Sequence, residues 1–188
     1  MEEAILSYAA KAKNNPNYCI YEDLRKFNPN IRKQMERGEY FVRRTSKTDF
    51  KIFEDTFGYK LPSDIGDLIN LFWHPYIYGF YKYDKIGESI VLFSCHQHKT
   101  ETDDDILWQK YGIIDLGIEW RNPYLGHGGD ITQYLPIGWT NYSGGNILYE
   151  LSTGRIFCEH LDNVKEPEEE PIANSLKELI TGLSFNLK

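Results

Sequence analysis

The sequence predicts an α+β domain with a mainly antiparallel central sheet flanked by helices. Apolar residues recur at helical spacing before Pro75 and again after Pro171, and the stretch between holds aromatic and β-branched runs punctuated by glycine. No alternation of strand and helix of the βαβ kind is visible, so a parallel sheet is not expected. With 188 residues, 41% of them hydrophobic and 15% aromatic, the chain can bury a sizeable core.

The elements follow in order. Glu2 to Lys13 is alanine-rich and helix-prone, and Asn14-Asn15-Pro16 ends it. Asn28-Pro29-Asn30 breaks the next stretch, where a short helix through Ile31 to Arg37 would stop at Gly38. Ser46 is a plausible N-cap for a helix carrying Phe50, Phe53 and Phe57, and Gly58 sits where a left-handed cap would. Leu61-Pro62-Ser63-Asp64 restarts a helix whose buried stripe is Ile65, Leu68, Ile69 and Phe72. Tyr76 to Tyr83 and Ser89 to Cys95 read as strands, and residues 106–112 as a turn of helix. Between Asp115 and Gly129 four glycines and a proline predict a loop. Tyr134 to Thr140 is a strand, and Asn146 to Leu151 pairs with Arg155 to Leu161 across Ser152-Thr153-Gly154. The last helix carries Ile172, Leu176, Leu179, Ile180 and Leu183 on one stripe.

Charge divides the chain. Residues 1–50 carry 10 Lys/Arg and 7 Asp/Glu, a net of +3, whereas residues 51–188 carry 11 and 21, a net of −10. The shift places a boundary near Ser46, with residues 1–45 as an N-terminal helical extension and 46–188 as the main domain. A net charge of −7 argues against nucleic acid as a partner, because phosphate contact needs clustered Lys and Arg. No run approaches the roughly 18 apolar residues of a membrane helix, and Met1-Glu-Glu-Ala is acidic where a secretory signal is basic. Cys19, Cys95 and Cys158 are odd in number, far apart and without a CxxC, which predicts a reducing cytoplasm and no disulfide framework.

No catalytic motif stands out. There is no GxxxxGK[ST] and no GxSxG, and Gly126-His-Gly-Gly129 has neither a lysine nor a convincing preceding strand. His96-Gln-His98 could present two imidazoles on one strand face beside Asp103 to Asp105, but a third ligand at a fixed offset is missing. Cys95 and His96 point to opposite faces of a strand, while Cys158 and His160 share one, where a cysteine is usually a small core residue. The acidic runs Glu101 to Asp105 and Glu166 to Glu170 read as solvated loops, and the aromatic segment Trp73 to Tyr83 as sheet packing. No metal or cofactor is expected.

One resemblance emerges from the order of pieces after Ser46. These are Phe53-Glu54 through Phe57-Gly58-Tyr59-Lys60-Leu61-Pro62, with Ile65, Leu68 and Ile69 behind, then Tyr134-Leu-Pro-Ile-Gly138. Ser143-Gly-Gly-Asn146-Ile-Leu-Tyr-Glu-Leu151, Thr153-Gly154-Arg155-Ile156-Phe157 and Ile172-Ala173-Asn174-Ser175-Leu176 with Leu179-Ile180 complete the set. In this order the pieces resemble the SUKH superfamily, the Smi/Knr-type domain of yeast glucan-synthesis regulators and many bacterial proteins. The resemblance implies a non-enzymatic protein-binding scaffold, whose bacterial members look like cytoplasmic immunity proteins that occlude a cognate toxin, often a nuclease. It carries over no catalytic residues. For the partner surface, the consecutive Asp103, Asp104 and Asp105 would face an electropositive nuclease. Trp120 and Tyr124 would be apolar anchors, with a core position as the competing reading of Trp120. The alternatives are a regulatory scaffold of the yeast type and a metal-dependent hydrolase using His96, His98 and His127.

Overall fold

The computed structural model describes residues 1–15, 33, 42–44, 46–73, 77–81, 88–93, 113–125, 128–140, 145–159, 167 and 169–185. Among these, five α-helices flank a five-stranded antiparallel sheet, so the molecule is α+β. The helices are α1 (Glu2–Lys13), α2 (Lys51–Phe57), α3 (Ser63–Leu71), α4 (Asp115–Arg121) and α5 (Leu176–Gly182). The main sheet is a meander in which each strand pairs with the next: β3 (Ile77–Tyr81), β4 (Glu88–Leu92), β5 (Tyr134–Thr140), β6 (Asn146–Glu150) and β7 (Ile156–Cys158). A separate short pair joins β1 (Val42–Arg43) to β2 (Phe72–Trp73).

The helix boundaries follow local chemistry. Gly58 ends α2 at φ +78, a left-handed conformation that costs glycine nothing, and its N–H returns to the Glu54 carbonyl. The N-terminal side of α2 is shorter than its phenylalanine spacing predicts. Ser46 is not its cap; the helix starts at Lys51, whose N–H bonds the Asp49 carboxylate. Residues 46–50 are instead held outside the helix by Arg44, which donates to the Ser46 carbonyl, and by Asn70, which accepts from the Thr48 N–H. The last helix is likewise shorter than its stripe. Ile172 and Ala173 bond the backbone of Ile156, and α5 starts only where the Ser175 side chain accepts from the Glu178 N–H.

The core lies between one face of the sheet and α1, α2, α3 and α5. Phe53, Ile65, Leu68, Ile69, Ile77, Leu92, Leu135, Ile137, Ile147, Ile156, Leu176 and Leu179 are all buried in it. Ile5, Tyr8 and Ala12 of α1 belong to the same cluster. α1, at the start of the expected N-terminal helical extension, therefore packs into this core. A charge shift marks where surface residues change sign, and it carries no information on which apolar faces meet. On the opposite face of the sheet, Trp120, Leu148 and Phe157 form a smaller cluster with Ile131 and Tyr134, roofed by α4.

Candidate functional site

The face roofed by α4 is where the two proposed anchors lie. The sequence from Asp115 to Gly129 reads as loop, yet Asp115–Arg121 is helical. Gly117 is the reason this segment does not read as a helix and also the reason it packs. A Cβ on Gly117 would stand 2.7 Å from Cζ of Phe57, so only hydrogen lets α4 approach α2 this closely. Leu116 and Trp120, at i and i+4, are buried on this two-turn helix, whereas Ile118, Glu119 and Arg121 are exposed.

Trp120 is the inner side of this corner. It is 1% exposed, and its Nε1–H donates to Oε1 of Glu159 at 2.8 Å. The other oxygen of Glu159 accepts from the Asn146 N–H at 3.0 Å and from Asn146 Nδ2 at 2.6 Å. Three donors on two oxygens explain how a carboxylate tolerates 2% exposure, and they tie α4 to both β6 and β7. The indole also stands edge-on to Tyr134, centroids 6.5 Å apart, and Tyr134 stands edge-on to Phe157 at 5.9 Å. The chain returning beneath it is fitted to the ring: the Gly129 N–H bonds the Trp120 carbonyl, and a Cβ on Gly129 would sit 2.4 Å from the indole. Trp120 is thus a core residue and not a surface anchor, because it is 1% exposed and its N–H is already bonded to Glu159.

Tyr124 is the outer side. After Arg121 the backbone turns extended at Asn122, whose carboxamide oxygen accepts from the Tyr124 N–H at 2.9 Å. Pro123 then opens a single 3₁₀ turn, Pro123–Leu125, that carries Tyr124 away from the body at 95% exposure. Ile118 of α4 is 37% exposed. Arg121 reaches back over the Phe57 ring, 5.7 Å from its centroid, and so fixes its own stem against α2. The result is an exposed aromatic on a short turn that directly follows the helix tied down by Trp120 and Glu159.

Asp103, Asp104 and Asp105 lie outside the described residues, as do His96, His98, His127 and His160. Among the described residues no group of three His, Cys, Asp or Glu side chains could hold a metal ion. Cys158 is half-buried against the main core. No described helix is long and apolar enough to cross a membrane. Glu159 carries no local signal of its role: it shares a strand face with Phe157, but a glutamate at the end of a short strand reads as solvated, and its tryptophan partner lies 39 residues away. Compared with models of protein families and with curated proteins, the chain matches none.

Proposed function

We propose that the chain is a SUKH-like protein-binding module, most simply an immunity protein that neutralises a cognate toxin by covering its active face. The observation that carries this reading is Tyr124: a fully presented aromatic on a braced turn, the arrangement that lets a side chain bury in a partner with little ordering cost. Two further features support it. The α+β architecture runs helices, antiparallel meander, helix, in the sequence order on which the resemblance rests. Residues 51–188 also carry a net of −10, complementary to a protein that must present cations to phosphate.

The mechanism is occlusion and requires no reacting group of this chain. The test is protection: cells expressing the chain should survive a toxin encoded beside it, and Tyr124→Ala should weaken the complex by about tenfold or more. Failure of the chain to bind or inhibit such a toxin would overturn the reading.

A further inference from the structure

The segment that carries Tyr124 begins and ends on Trp120. The chain leaves the tryptophan at Arg121, and after Gly128 it is back, with the Gly129 N–H donating to the Trp120 carbonyl at 3.0 Å. The two limbs adjoin near this closure, since a Cβ on Gly128 would lie 3.6 Å from Cα of Pro123. A surface segment whose ends meet in this way is of the Ω-loop type, a form that frequently carries function. Its base is fixed to the sheet. Glu159 is seated on β6 by its own backbone, its N–H donating to the Asn146 carbonyl at 2.8 Å, while one carboxylate oxygen accepts from the N–H and the Nδ2 of Asn146. The other oxygen takes the indole N–H of Trp120. A path from the sheet to the loop thus runs through a buried carboxylate and a buried ring.

We propose that Glu159 is the positioning residue for recognition through Tyr124. By holding the Trp120 indole it sets where the turn Pro123–Leu125 stands, and so presents Tyr124 in a fixed pose to a pocket of the partner. The inference rests on the proposed protein-binding function and names a residue on which its affinity depends. Local bonds carry the position of α4 on to the aromatic: the Asn122 N–H donates to the Glu119 carbonyl at 3.1 Å, and the Tyr124 N–H donates to the Asn122 carboxamide. A carboxylate suits this role better than a neutral side chain. Three donors converge on it, and bonds to a charged acceptor are about twice as strong as neutral ones. A glutamine offers one carbonyl oxygen and an amide that only donates, so it cannot satisfy the indole on one side and both Asn146 donors on the other. An aromatic held in its bound pose before contact loses less freedom on binding than one that must be ordered there.

The test is a double-mutant cycle against the toxin encoded beside the chain, with amide exchange of the chain alone as the second measurement. Glu159→Gln is expected to weaken binding about tenfold while Tyr124 is present and to add no further loss to Tyr124→Ala, because a loosened turn matters only when it carries the aromatic. Without partner, exchange of the Gly129 N–H should rise about tenfold more than that of the β4 amides, since the loop opens locally. A merely structural role would weaken binding equally in both backgrounds and raise all amides together. Should Glu159→Gln not fold, Trp120→Phe keeps a ring and removes the indole donor, and the same measurements apply. Equal losses with and without Tyr124, or unchanged exchange at Gly129, would overturn the positioning role and leave the proposed function standing. Failure of the unaltered chain to bind the toxin would overturn the proposed function and the recognition role with it, whatever the exchange shows.

Discussion

Trp120 and Tyr124 are four residues apart and do opposite things, and substitutions should separate them. Trp120→Phe keeps an aromatic ring in the cluster of Leu148 and Phe157 but removes the donor to Glu159. A buried carboxylate that loses a partner costs about 1–3 kcal/mol, and urea melts should show a loss of that size. Tyr124→Ala touches a side chain that is 95% exposed, so stability should stay within about 0.5 kcal/mol while partner binding falls. Equal stability losses at both positions would mean that the corner is not built around Trp120.

At the scale of the element, the β6–β7 hairpin carries its own clamp. Glu150 accepts from Arg155, whose Nη2 lies 2.9 Å away, and from the Thr153 hydroxyl, and the Arg155 guanidinium stacks 5.2 Å from the Phe157 centroid. Burial alone would raise the Glu150 pKa, but the hydrogen bonds from Thr153 and Arg155 and the charge of Arg155 outweigh it and hold the carboxyl below its ordinary 4.5. A carboxyl depressed on folding contributes stability above its unfolded pKa, and the contribution is lost as pH falls through the folded value. Glu150→Gln is therefore expected to cost stability at neutral pH and progressively less below pH 4.5. Urea midpoints of the two proteins should converge as the pH falls further below 4.5; a constant gap would show that the charge on Glu150 does not hold the hairpin.

For the whole molecule, two predictions concern assembly and steering. Ile5 is fully buried among residues of the sheet face and of α3 and α5, so Ile5→Ala should cost about 2–5 kcal/mol and lower the single unfolding transition as a whole. Two separate transitions, with only the lesser one shifted, would show that α1 folds independently of this core. The ion pair between Glu2 and Arg43, 3.2 Å apart with both side chains more than half exposed, contributes about 0–1 kcal/mol and does not hold α1 in place. The second prediction rests on the proposed partner. Reversing Asp103, Asp104 and Asp105 to Lys should slow association with an electropositive toxin markedly at low salt and little at high salt, with the melting temperature unchanged. An unaffected on-rate at low ionic strength would place the interface elsewhere.

The sequence by itself determined the elements whose signals are local. The spacing of Ile65, Leu68 and Ile69 wrote α3, Gly58 stopped α2, Tyr134 to Thr140 is a strand end to end, and Gly154 at φ +76 turns the hairpin. It also carried the α+β class, because helix and strand periods are properties of neighbours along the chain. Tertiary structure decided everything that depends on a partner distant in sequence. Asp115–Arg121 is a helix because Phe57 needs the bare face of Gly117 and Glu159 needs the indole of Trp120, and neither is visible from within its own segment. The same holds for α1, which reads as an appendage by charge and is core by packing, since its Tyr8 hydroxyl finds the backbone of Tyr78 only in the fold. Burial and hydrogen bonding join residues by distance in space, and a periodicity along the chain records only which face will be buried, not what will bury it.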